Sequence, residues 1–223
     1  MTRKAVTSRA MTVRELYNKK RRTHRLDGPF GDLIGNEIEL TGVWFMWGGS
    51  NSGKTSGAMQ LAHKLTEYGK VAYNSWEERD GLTIVLSLKR ARMHEVPTGR
   101  FIFLVAEPLE ELKARLRKPK SPDIVFIDSF QYARMRYDDV IDLMAEFPKK
   151  LFVIISQAQG KLPKGSDAES VMYAANVKIR VEGCRAFANS RYGGQTPYTI
   201  WEPKAVRYWG EKILNDGNTE PNL

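Results

Sequence analysis

Residues 48–55 read Gly-Gly-Ser-Asn-Ser-Gly-Lys-Thr, GGSNSGKT, and this octet decides the fold. It follows the short apolar run Val43–Trp47 and opens the stretch Lys54–Tyr68. In that stretch Ala58, Met59, Leu61, Ala62 and Leu65 recur at helical spacing. A strand, a glycine-rich octet and a helix in this order make the P-loop pattern G-x-x-x-x-G-K-[ST]. Gly48, Gly49 and Gly53 let the backbone curl through Ser50, Asn51 and Ser52 with its N–H groups facing inward. Those donors and the helix N-terminus, with Ser56 in its first turn, form an anion cradle. Lys54 adds a point charge on the outer phosphates, and the Thr55 hydroxyl is a hard oxygen ligand for Mg²⁺.

Outward from the octet, the pattern alternates. Strands are expected at Val71–Ser75, Phe101–Ala106, Asp123–Asp128 and Leu151–Ser156, and helices at Leu82–Met93, Pro108–Leu116 and Asp138–Glu146. The strands are apolar throughout, as in a mostly parallel sheet covered on both faces, an α/β architecture. The C-terminal part differs. Val177–Val181, Cys184–Asn189, Tyr198–Trp201 and Ala205–Tyr208 read as short strands in hairpins appended to the sheet. Asp27–Gly42 reads as a lead-in of turns, Gly160–Asp167 (GKLPKGSD) as a flexible loop, and Asn215–Leu223 as a polar tail.

The 223 residues carry a net charge of +9. Residues 1–25 hold nine basic side chains against the single acid Glu15, so the remainder is almost neutral. A basic arm of this kind is drawn to phosphate backbones or acidic partners. A solvated mobile terminus and a transit peptide are the other readings, and the Lys19–Arg22 block fits the latter poorly. No apolar run approaches the roughly 20 residues that span a bilayer. The single Cys184 excludes an internal disulfide, and His24, His63 and His94 are scattered. A reducing cytoplasm is the expected compartment.

Other candidates sit at expected strand tips. Asp128 ends the run DIVFID and can hold the Mg²⁺ shell. Glu77 and Glu78 follow VAYNS, where a carboxylate can activate water as a general base. Gln157 follows LFVIIS, where a neutral amide can sense a γ-phosphate. Arg191, in NSRYGG, is placed to reach a neighbouring subunit's nucleotide as an arginine finger.

From Val43 to Gly194 these motifs resemble the RecA-like core of ATPases, closest to the RadA and DnaB branch and to small phage-encoded RecA-core recombination or annealing proteins. VAYNSWEER is similar to that branch's catalytic-glutamate segment, which assigns the role to Glu77. PDIVFIDSFQ resembles its Walker B segment, and VIISQAQGK its sensor strand. NSRYGG resembles a Lys-Asn-Arg-Phe-Gly motif that acts on the adjacent subunit, with Asn189 standing where the Lys would be. The resemblance implies ATP and Mg²⁺ as cofactors, with ATP at the interfaces of a homo-oligomeric ring or filament. It also implies single-stranded DNA on two loops, one with Arg134, Arg136 and Tyr137, the other with Lys161 and Lys164. A single-strand-binding protein or a helicase would be a further partner, with no membrane involved. Residues 1–36 would be arm and lead-in, 37–211 the RecA-like P-loop domain, and 212–223 the tail.

The leading expectation is therefore a DNA-stimulated ATPase of phage recombination, annealing or replication. A P-loop kinase of a small molecule is a second reading. It would need an Arg-rich lid, and the IDSFQ segment and the hairpin ending fit it poorly. A nucleotide-gated adaptor, such as a helicase loader, is the third, and Asn189 favours it.

Overall fold

The computed structural model describes residues 10–211. The basic residues Arg3, Lys4 and Arg9 and the tail 215–223 lie outside them. The chain begins with α1 (Val13–Asn18), β1 (His24–Arg25), α2 (Pro29–Ile34), β2 (Glu37–Ile38), β3 (Gly42–Gly48) and α3 (Lys54–Leu65). It continues through β4 (Val71–Ser75), α4 (Leu82–Arg90), β5 (Phe101–Val105), α5 (Leu109–Leu116), β6 (Ile124–Asp128) and α6 (Tyr137–Glu146). It ends with β7 (Leu151–Gln159), β8 (Leu162–Pro163), α7 (Ser166–Ala174), β9 (Val177–Glu182), β10 (Arg185–Ser190), β11 (Tyr198–Thr199) and α8 (Glu202–Trp209).

The sheet runs in the order β11-β10-β9-β3-β7-β6-β4-β5, with β8 folded back on β7. From β9 to β5 every neighbouring pair is parallel. β10 and β11 add antiparallel pairs at one edge. The alternation of side chains along each strand divides the core into two layers. Trp44, Met46, Tyr73, Phe126, Val153 and Ile179 point to one face, where α2, α3 and Ile84 of α4 cover them. Phe45, Trp47, Ala72, Ile127 and Ile154 point to the other, against Leu112 and Leu116 of α5, Val140 and Leu143 of α6, and Val171 of α7. Both faces of β3, β4, β6 and β7 are sealed, which is why those strands read as unbroken apolar runs.

Several expectations are corrected. The lead-in is not all turns: Pro29 starts α2, and Phe30, Leu33 and Ile34 are buried in the core. Gly160–Asp167 is not a free loop. Ala158 and Gln159 pair with Pro163 and Leu162, and α7 begins at Ser166. Ala205–Tyr208 is helical, not a strand. Pro203 sits in the first turn of α8, where its missing N–H costs nothing, and Gly210 ends the helix at φ 83°. In the basic arm, α1 buries no residue, and Thr12 caps it by accepting from the Glu15 N–H.

Candidate nucleotide site

Four strand tips meet where the P-loop turns into α3. Gly48 pairs with Gln157 of β7, and Ser75 of β4 pairs with Asp128 of β6. Gly48 must be glycine because a Cβ there would lie 2.2 Å from the Val181 carbonyl oxygen. Gly53 takes φ 99°, a left-handed turn that delivers the chain into α3. The turn is also held from the β9–β10 side, where the Cys184 N–H donates to the Ser52 carbonyl at 2.9 Å.

The Lys54 ammonium donates to the Gly49 carbonyl at 2.8 Å, across the mouth of the loop. Burial lowers its pKa, and the charges of Glu77 and Asp128 act in the opposite direction. Asp128 is buried, and that burial pushes its carboxyl up to about 6. The Tyr73 hydroxyl, which donates to Asp128 Oδ2 at 2.5 Å, favours the ionised form. So does Lys54, while Glu77 and Glu78 oppose it. The Glu77 N–H donates to the Asp128 carbonyl at 3.2 Å, which ties the end of β4 to β6. The two glutamates are not equivalent. Glu77 is exposed and acts on Lys54 as well as on Asp128 and Tyr73, whereas Glu78 acts on Asp128 and Tyr73.

This donor set fits a magnesium-bound polyphosphate. The Thr55 hydroxyl and the Asp128 carboxylate would hold the cation, which needs few protein ligands when phosphates and water complete its shell. The Asp128 carboxylate is strained by burial and by two like charges, so a divalent cation would relieve it. The buried Ser75 and Ser129 hydroxyls beside Asp128 have no hydrogen-bond partner. Among the described residues no cluster of three His, Cys, Asp or Glu forms a metal site without such a ligand.

Gln131 is a residue that the sequence reading passed over. Its Nε2 donates to Ser156 Oγ at 2.8 Å and to the Lys164 carbonyl at 2.9 Å, and its Oε1 accepts from the Gln157 N–H at 3.0 Å. The Tyr137 N–H donates to Asp167 at 3.2 Å. These bonds bring the segment with Arg134, Arg136 and Tyr137 beside the hairpin with Lys161 and Lys164. The four basic side chains are exposed, as is the nearby Tyr132. In the sequence the only signal for Gln131 is a polar residue three places after Asp128.

Arg191 lies elsewhere. It follows Ser190, which pairs with Val177 at the start of β9, and Val177 in turn pairs with Trp44. Four strand steps, on the order of 13 Å, separate that end of the sheet from Gly48. Its guanidinium donates to Asn176 Oδ1 at 3.3 Å and is exposed. Lys178 sits directly across from Asn189. Gly194 of NSRYGG packs instead on α2, where its N–H donates to the Ile34 carbonyl at 3.2 Å.

No family model and no curated protein sequence matches the chain. Solved structures do. Flagellar accessory protein FlaH from Methanocaldococcus jannaschii superposes with a TM-score of 0.58 at 16% identity, over 81% of this chain and 96% of that one. KaiC-like protein PH0186 from Pyrococcus horikoshii OT3 gives 0.57 at 17% identity, over 80% and 93%. The chain therefore has the RecA-like P-loop fold, with a mostly parallel sheet between helical layers.

Proposed function

We propose that this chain hydrolyses ATP and uses the cycle on single-stranded DNA, in phage-type recombination, annealing or replication. One observation carries the reading. Lys54, Glu77 and Asp128 share one electrostatic site at the strand tips, and Gln131 joins that site's sensor strand to both basic segments.

Each residue has a role set by its position. The P-loop backbone and Lys54 hold the phosphates and offset charge that develops on the outer one. Magnesium, on Thr55 and Asp128, supplies further charge neutralisation when bound. Glu77 orients a water and accepts its proton, since its carboxylate is exposed and its charge acts on Lys54. Gln157 sits opposite Gly48, and its backbone N–H is held by Gln131. A shift there moves Gln131 and, with it, the Lys164 segment. Arg191 would serve the site of an adjacent copy in a ring or filament, a reading supported by its place at the end of the sheet away from its own P-loop.

The test is phosphate release with and without oligothymidylate, for the wild type and Glu77→Gln. The strand should accelerate the wild type. The variant should keep nucleotide binding and lose turnover by about a hundredfold or more, the usual scale for a general base. Phosphate transfer only when a small-molecule acceptor is added would favour a kinase. Negligible turnover with ATP-dependent capture of a partner protein would favour an adaptor.

A further inference from the structure

Behind the P-loop lies a pocket of about 360 Å³. It is lined by the outer loop turn Gly48–Ser52 together with Trp47, Lys161, Arg180, Glu182, Lys204 and Tyr208. It shares the Gly48–Ser52 turn with the phosphate cradle and extends away from Gly53, Lys54, Thr55, Glu77 and Asp128, which do not line it. Its lining draws on both faces of the sheet, with Val181 on the α3 layer and Trp47 on the other. Trp47 belongs to the core layer of α5, α6 and α7, whereas α3 packs on the opposite layer. Arg180 pairs with Trp47 across β9 and β3 and shares its face.

The lining is basic and aromatic. Three cations face one carboxylate. Lys204 donates to the Asn51 carbonyl at 2.8 Å, which leaves two of its N–H groups for another acceptor. The Lys161 side chain is exposed, and its carbonyl accepts from Trp47 Nε1 at 3.0 Å, which fixes the hairpin against the pocket wall. Arg180 is paired with Glu182, whose second oxygen accepts from the Tyr208 hydroxyl at 3.0 Å. The Tyr208 ring is 59% exposed, and its edge-on contact with Trp209 fixes its orientation. Free ammonium donors beside an oriented, accessible ring suit a phosphate joined to a flat base. The volume suits one such unit.

We infer that this pocket takes one nucleotide unit of a single strand, its phosphate between Lys161 and Lys204 and its base on Tyr208. Lys204 then links occupancy to the P-loop through the Asn51 carbonyl. The inference rests on the single-strand reading above and adds a third contact to it. A strand is favoured over a free nucleotide because Lys164 follows Lys161 along the same hairpin, offering a place for the next phosphate.

The test uses the full chain and a fluorescent oligothymidylate carrying 5-bromodeoxyuridine. Ultraviolet crosslinking of the wild type should mark peptides containing Trp47 or Tyr208. In anisotropy titrations, Lys204→Ala should weaken binding about tenfold and reduce the salt slope by roughly 0.7, the value for one phosphate on a single strand. Tyr208→Ala should weaken it about tenfold with the slope unchanged. Oligonucleotide binding with crosslinks confined to other peptides and both variants at wild-type affinity would overturn the pocket and leave the single-strand reading standing. Thymidine monophosphate is the second probe. A wild type that binds it through Lys204 and binds no oligonucleotide would overturn the strand assignment of pocket and loops alike. Crosslinking reads the folded wild type, so it decides even where a variant fails to fold.

Discussion

The two ends of the parallel sheet are built differently. At the tips of β3, β4, β6 and β7, Lys54, Glu77 and Asp128 act on one another, and Asp128 sits in a buried, hydrogen-bonded setting. At the other end, Arg191 is exposed and donates to Asn176. On the function proposed above, one chain would assemble the binding half of a phosphate-transfer site, and Arg191 would serve the site of another copy. The lesson is that activity and binding should separate. Binding would then need one chain, and full turnover an interface.

The largest effect expected from this contrast is on turnover. Arg191→Ala should bind magnesium-ATP as the wild type does and lose activity by about a thousandfold, the lower range for an arginine finger. Mixing it with inactive Glu77→Gln should restore activity. An interface then forms in which an intact Glu77 site meets an intact Arg191. No recovery on mixing, at concentrations where the copies associate, would contradict an intersubunit role.

A smaller effect concerns the buried end itself. The Asp128 carboxyl is raised to about 6 in the folded chain, chiefly by burial, against about 3.9 when unfolded. The folded state therefore binds the proton more tightly. Its stabilising contribution is complete below about pH 4 and is lost as pH rises through about 6. Asp128→Asn should be more stable than the wild type at pH 8 without magnesium, by on the order of 2–3 kcal/mol. The difference should vanish below about pH 4, as measured by urea unfolding. Magnesium should stabilise the nucleotide-loaded wild type and not the variant.

The smallest effect lies outside both ends. Deleting residues 1–25 should weaken oligothymidylate binding severalfold and flatten its salt dependence, with nucleotide affinity unchanged. An unaltered salt slope would remove the arm from strand binding.

The legible parts of this molecule share a physical cause. β3, β4, β6 and β7 are buried on both faces, so their sequences are apolar without interruption. The P-loop and Asp128 announce themselves because phosphate and metal chemistry demand particular residues at fixed spacing. The periphery was harder to read. The short α8 segment Ala205–Tyr208 contains Val206 and Tyr208, which favour strands, and only Pro203 and Gly210 mark the helix. The loop-like GKLPKGSD hid the start of α7, although Ala168, Val171, Met172 and Ala175 recur at helical spacing. Lys204 and Arg180 come close to the P-loop turn only through tertiary packing, which no local pattern encodes.

The central claim is that the Gly48–Thr55 turn holds a magnesium-bound nucleoside triphosphate within a single chain. Isothermal titration of ATP into the full chain, with saturating magnesium, tests it directly. The account gives one saturable site per chain, abolished in Lys54→Ala and retained in Arg191→Ala. A folded wild type that gives no binding heat over a range of temperatures and leaves its melting point unmoved by ATP would contradict it.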